Sequence, residues 1–309
     1  MQTVKWLGFC VAQAMSRSVL HFFPSSDNAS APYAATCTLT LLGSGGTRSS
    51  VVLEGGRLGH PDGLRLEDAF PVLKGEVSGV FGLEVEISTP QPRLDVRSSG
   101  CVVEVISQGR PVRFAPKKII KAEVSETLRH LRAKTAERTE IAGAGAFSGA
   151  LALDPSGAEK VQATEGGVGH KLAQRGSATG LAVRDGQLVP SVLVVNGSSE
   201  RCCASVFSVS AGIPKPAMHL PLTKVDLAPG ASHELALDEG LFRSSPVTEL
   251  SLGRCCALPI VVEVTRGGSD AKSAVETAGQ GGDFVPEVAT FMVYRESTTR
   301  RMSSVTSLG

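Results

Sequence analysis

Short stretches rich in Val, Leu and Ile recur along most of the chain, each closed off by Gly, Pro, Ser or Asp. In the first part they are 19–23, 34–42, 49–53, 83–88 and 101–107. Leu83-Glu84-Val85-Glu86-Ile87 alternates apolar and charged positions, the period of a strand with one wet face. Pro90 and Pro92 then break the chain. In the second part the stretches are 180–184, 191–195, 204–210, 224–227, 233–237, 248–252, 259–266 and 288–294. Between two of them stands Ala228-Pro229-Gly230-Ala231-Ser232. Its Pro fixes φ and its Gly accepts positive φ, which suits a type II turn. Regular short strands with turn residues between them predict an all-β chain of sandwich or barrel type.

The two parts also resemble each other. Leu41 to Ser50 reads as strand, Gly/Ser turn, Arg and new strand, and so does Val194 to Cys203. Leu64 to Phe70 parallels Leu235 to Leu241, and Cys101 to Ser107 parallels Ile260 to Arg266. Three matches in the same order predict a tandem duplication. The expected layout is therefore two β-sandwich-like domains, 16–115 and 177–296. A segment 116–176 would link them, residues 1–15 would be an extension or targeting segment, and 297–309 a flexible tail.

The linker differs in pattern from its flanks. Residues 124–140 are rich in Lys, Arg and Glu and free of Gly and Pro. Ser125 followed by Leu128, Leu131 and Ile141 suggests a capped helix. A Gly/Ala run follows, and 154–176 is polar and Gly-rich, so the linker reads as partly helical and partly disordered.

Composition narrows the function classes. The 309 residues are 42% hydrophobic and 20% charged, a globular balance. Basic and acidic residues nearly cancel, leaving a formal charge of +1, so no global field draws the chain to nucleic acid. Aromatics are only 5%, too few for the ring platforms that bind glycans or single strands. No apolar stretch is long enough to span a membrane as a helix. The first 26 residues lack Asp and Glu, which resembles a mitochondrial presequence. Lys5, the apolar run Trp6–Val11 and Ala12-Gln13-Ala14 also fit a short signal peptide, and Met15 fits an internal start. An intracellular location, cytoplasmic or mitochondrial, is the expectation.

Candidate chemistry was weighed group by group. Gly143 to Gly149 looks like a dinucleotide loop, but a charged helix precedes it and Asp154-Pro155 stops any helix after it. The pairs Cys202-Cys203 and Cys255-Cys256 suggest a thiolate metal site. Adjacent strand residues point to opposite faces, however, so buried structural thiols are expected. Seven cysteines in irregular spacing make no disulfide scaffold. His21, His60, His130, His170, His219 and His233 stand at no metal-ligand spacing. Glu104 and Glu263, at matching places, read as solvent-facing strand residues. The basic residues 117–138 are interspersed with Glu and read as a solvated face. Sequons begin at Asn28 and Asn196. No catalytic, cofactor-binding or metal residue is assigned, and no cofactor is expected.

Val192-Leu193-Val194-Val195-Asn196-Gly197, then Val225 to Ser232, then Leu258 to Arg266 resemble the small β-sandwich of the sensory-rhodopsin-transducer type. The likeness covers about 191–266. It implies a non-enzymatic, oligomeric, cytoplasmic sandwich that docks onto other proteins. The expected function is thus a protein-interaction or assembly module, a subunit of a larger complex, with protein partners and possible oligomer formation. The alternative is a sandwich that binds carbohydrate or lipid.

Overall fold

The computed structural model describes residues 2–13, 15–23, 35–54, 62–74, 79–89, 99–119, 175–210, 218–237, 256–266 and 287–308. The expected linker helix, the Gly/Ala run and the stretch 248–252 lie outside them. The described chain is built from antiparallel strands, with one short helix α1 (Leu66–Ala69) and a 3-10 turn (Pro71–Lys74). The all-β expectation holds.

The first half contributes β1 (Gln2–Ala12), β2 (Ser16–Phe23), β3 (Thr36–Leu42), β4 (Arg48–Glu54), β5 (Leu64–Arg65), β6 (Gly79–Thr89), β7 (Gly100–Ser107), β8 (Arg110–Phe114) and β9 (Lys117–Ile119). Sheet I runs β4-β3-β6-β1-β9 and sheet II runs β5-β2-β7-β8. The second half contributes β10 (Arg175–Arg184), β11 (Leu188–Asn196), β12 (Cys202–Ser210), β13 (Met218–Leu227), β14 (Ser232–Ala236), β15 (Cys256–Arg266), β16 (Val288–Glu296) and β17 (Met302–Leu308). Sheet III runs β13-β12-β15-β10 and sheet IV runs β14-β11-β16-β17. Numbered from its own start, each half has the same two sheet orders, 4-3-6-1 and 5-2-7-8, with β9 added to the first.

This shared topology corrects the register of the duplication. The starts of the second matched pair, Leu64-Arg65 and Leu235-Ala236, do fall on equivalent strands, β5 and β14. The other two parallels are one strand out of step. β3 and β4 correspond to β12 and β13, not to β11 and β12, and β7 corresponds to β16, not β15. A strand–turn–strand pattern records local alternation and says nothing about which sheet each strand joins. The β1–β2 and β10–β11 connections, three residues each, carry this register from one sheet to the next. It pairs Gly8 with Gly180, and both face the last residue of their half's eighth strand. A Cβ on Gly8 would meet Phe114 and Pro116, and one on Gly180 would meet Leu308.

Alternation explains most strands. Along β6, Leu83, Val85 and Ile87 are buried while Glu84 and Glu86 between them are not. Trp6 of sheet I meets Phe22 of sheet II edge-on at 6.0 Å between the two layers. The Pro229-Gly230 turn forms as expected, with Gly230 at φ +68° and the Ala231 N–H donating to the Ala228 carbonyl at 3.1 Å.

Two central strands break the alternation because both their faces are covered. On β11 and β16, Val192, Val194 and Met292 enter the core of the second half. Leu193, Val195, Ala289, Phe291 and Val293 enter the core of the first. Sheet IV thus lies against the outer face of sheet I, and one apolar cluster runs through both halves. Phe9, Phe114 and Phe291 form its aromatic centre: Phe9 stacks on Phe114 at 4.3 Å, and Phe291 meets both edge-on at 5.4 and 5.6 Å. Gly82 is the close-approach point, since a Cβ there would lie 2.8 Å from Val195 Cγ1.

Polar groups fix the same seam. Lys5 pairs with Glu84 at 2.7 Å and donates to the Gly197 carbonyl at 3.4 Å. Lys117 donates to the Val288 carbonyl at 3.0 Å and Arg48 to the Ser198 carbonyl at 3.2 Å. Three cations of the first half thus meet carbonyls at the ends of β11 and β16. Ser232 accepts from the Gly82 N–H at 2.9 Å and donates to the Leu42 carbonyl at 3.1 Å. Burial pulls the pKa of Lys117 down to about 8.

Two further expectations are corrected. Residues 1–15 are not an appended extension, because β1 pairs with β6 along its whole length and is buried from Val4 to Ala12. Residues 297–309 are not a free tail, because β17 pairs with β16 and buries Met302 and Leu308. The apolar run at Trp6 reads like a signal core because a strand covered on both faces loses its polar alternation.

Candidate functional site

The thiols were the first candidates for chemistry. Cys10, Cys37 and Cys101 are buried in the first core and Cys202 in the second, and none of the four is in a disulfide. Burial pushes the Cys37 thiol up to about 12 and raises those of Cys10 and Cys101 as well, with Glu67 adding to the shift at Cys10 and Cys37 to that at Cys101. Cys203 follows Cys202 on β12 but is only partly buried, facing outward, with its Sγ 3.9 Å from Ser205 Oγ. Opposite orientation separates this pair, as its spacing implied. Cys256 opens β15, and Cys255 lies outside the described residues. Among the described residues no three His, Cys, Asp or Glu side chains gather as a metal site. Of these five described thiols, Cys203 should react first with an aromatic disulfide reagent on the native protein. The other four should react only on unfolding, as peptide mapping of the labelled protein would record.

The charged groups on the outward faces of sheets II and IV serve in structural pairs. Glu104 of β7 is only 6% exposed, which corrects its solvent-facing assignment. It accepts from Arg113 Nε at 2.7 Å and meets His21 Nε2 at 3.2 Å. Burial raises its pKa, but the hydrogen bonds and charges of Arg113 and His21 outweigh this and hold the carboxyl below its ordinary value. Sequence reading missed this because its two partners come from other strands. Glu263 is part-buried on β15, opposite Ser177 and Ser205, and does not correspond to Glu104. On sheet IV, Arg295 donates to both oxygens of Glu234 at 2.9 Å, and Ser191 Oγ donates at 2.6 Å. Burial again raises the Glu234 pKa, and Arg295 and Ser191 bring it down overall.

Asn196 is equally committed. It is fully buried, and its Nδ2 donates to the carbonyls of Glu200 at 2.9 Å and Ala228 at 3.0 Å. Its Oδ1 accepts from the Ser198 N–H and Oγ. The Asn196-Gly197-Ser198 sequon therefore shapes the β11–β12 connection and holds no amide free for a glycan. His233 is exposed on β14, whereas His60, His130, His170, Asn28 and the Gly143–Gly149 run lie outside the described residues.

A cleft of about 680 Å³ opens between the β1–β2 and β7–β8 turns, lined by Met15, Arg17, Glu67, Leu73, Lys74 and Gln108 among others. Met15 and Gln108 hold positive φ there, and Gln108 N–H donates to the Met15 carbonyl at 3.2 Å. Two of its charges are engaged: Glu67 accepts from the Ser18 N–H at 2.6 Å and Lys74 pairs with Asp68 at 3.1 Å. Among the described residues no aromatic ring lines it.

The outer faces of sheets II and III offer the other accessible surface. Phe23 on β2 is 54% exposed and Leu181 on β10 is 49% exposed. Around Leu181 stand Pro259, opposite it on β15, and the next row, Thr179, Val261 and Phe207. No described helix is long and apolar enough to cross a membrane. Neither a protein-family model nor a curated protein matches this chain.

Proposed function

We propose that this chain is a non-enzymatic interaction or assembly module, a structural subunit of a larger complex. The observation that carries the reading is the contrast between used and unused groups. Glu104, Glu234, Lys5 and the buried thiols serve the fold, while large apolar side chains on two sheet faces remain open to water. The likeness of residues 191–266 to sensory-rhodopsin-transducer sandwiches points the same way, toward a docking module. A carbohydrate or lipid ligand would have the open cleft beside Met15, which lacks a ring to stack on.

Cofractionation of native extract tests the proposal. The chain should elute well above its own mass of 32.1 kDa, in stoichiometric company. Elution as a monomer with no co-eluting subunit would contradict it.

A further inference from the structure

Inside the chain, sheet IV of the second half sits on sheet I of the first. The contact is head-to-tail, because sheet IV corresponds to sheet II and sheet I corresponds to sheet III. Among the described residues no other sheet lies against the outer face of sheet II or of sheet III, although Val19, Glu104 and Val261 on these faces are already buried within the chain.

Residue correspondence sharpens the point. Laying β6 on β15 end to end places Gly82 on Pro259, so Phe9, opposite Gly82, corresponds to Leu181, opposite Pro259. The equally long β1–β2 and β10–β11 connections place Phe23 on Val195, and the pairings across to the next strand place Val102 on Phe291. Phe9 and Val195 are fully buried where the halves meet. Their counterparts Leu181 and Phe23 are about half exposed. Two of the large apolar side chains open to water thus occupy two of the positions that the internal seam covers. Charge agrees with apolar placement: Arg17 and Arg65 project from sheet II beside the Arg113–Glu104 pair, and Asp226 and Glu263 project from sheet III beside Lys224.

We infer that a second copy of this chain docks through the outer face of its sheet II onto the outer face of sheet III, repeating between molecules the contact made within each. Such an interface is heterologous, so it closes into a ring or grows into a filament. The interface carries more charge than the internal seam, where Leu193 and Val293 stand in place of His21 and Glu104. The association is accordingly salt-dependent and reversible. The inference rests on the assembly reading and names one partner for it.

The test uses the purified full chain and light scattering over a concentration series. Mass should rise beyond a dimer with concentration. Leu181→Arg and Phe23→Arg should each weaken self-association at least about tenfold, with unchanged circular dichroism because both side chains are half exposed. Mixed one to one, the two variants should form a dimer and stop there, since each retains the face the other has lost. A wild-type chain that stays monomeric at about 100 µM overturns the inference. So does a Phe23→Arg chain that associates normally, which would mean a symmetric contact through sheet III alone. A mixture that remains monomeric overturns it too. If the pure chain is monomeric while the native extract holds it in a complex with other proteins, this inference falls and the assembly reading stands.

Discussion

Phe291→Ala should destabilise the folded chain by about 3–5 kcal/mol, and the loss should be felt in the first half although the residue lies in the second. Phe291 is fully buried against Phe9 and Phe114, so truncation empties the aromatic centre shared by both halves. The single tryptophan, Trp6, sits in the first core and reports on that half alone. Its fluorescence in a urea titration should shift to a lower midpoint in the variant, at an unchanged slope. An unaltered Trp6 transition would mean that the halves unfold independently. Val293→Ala, which removes less volume from the same face, should act in the same direction with a smaller effect.

Lys5→Met should cost about 3–5 kcal/mol, because it strands the Glu84 carboxylate at the seam. The two side chains are 8% and 14% exposed and 2.7 Å apart. Taking one charge from a buried pair leaves the desolvation of the other uncompensated, whereas removing both charges does not. The double variant Lys5→Met, Glu84→Gln should therefore recover most of the loss. A double-mutant cycle by chemical denaturation gives the coupling, and a double variant no better than Lys5→Met alone would refute this account of the pair. The Gly197 carbonyl loses its donor in either variant, which sets a floor to the recovery.

The same two residues mark where the sequence could be read and where it could not. Strands such as β6, with Glu84 and Glu86 between Leu83, Val85 and Ile87, declare themselves by alternation, even though Glu84 serves the seam and not water. The Pro229-Gly230 turn declares itself through the backbone freedom each residue lacks or supplies. β1 does not, because cover on both faces turns its pattern into an apolar run. That run is as compatible with a signal core as with a central strand. β8, β9 and β17 were missed for the opposite reason, since edge strands bury few side chains. The duplication was legible but its register was not, because Val-Glu-Val segments look alike in whichever sheet they join.

Of the candidate surface, Phe23 and Leu181 were visible as members of strands, with no local sign that they face water. Their meaning emerges only when each is laid on its buried counterpart, Val195 or Phe9, and that step needs strand pairings. The Glu104 cluster was hidden similarly, since His21 and Arg113 reach it from β2 and β8. Likewise, the buried role of Asn196 depends on carbonyls supplied by its own loop and by the distant Ala228.

Native-state hydrogen exchange in rising denaturant examines the shared core most directly, by following the amides of β1 and β6 beside those of β11 and β16. If sheet IV and sheet I close one common core, these four strands exchange through a single opening of one free energy and one denaturant dependence. Two openings of different size, one for each half, would contradict it.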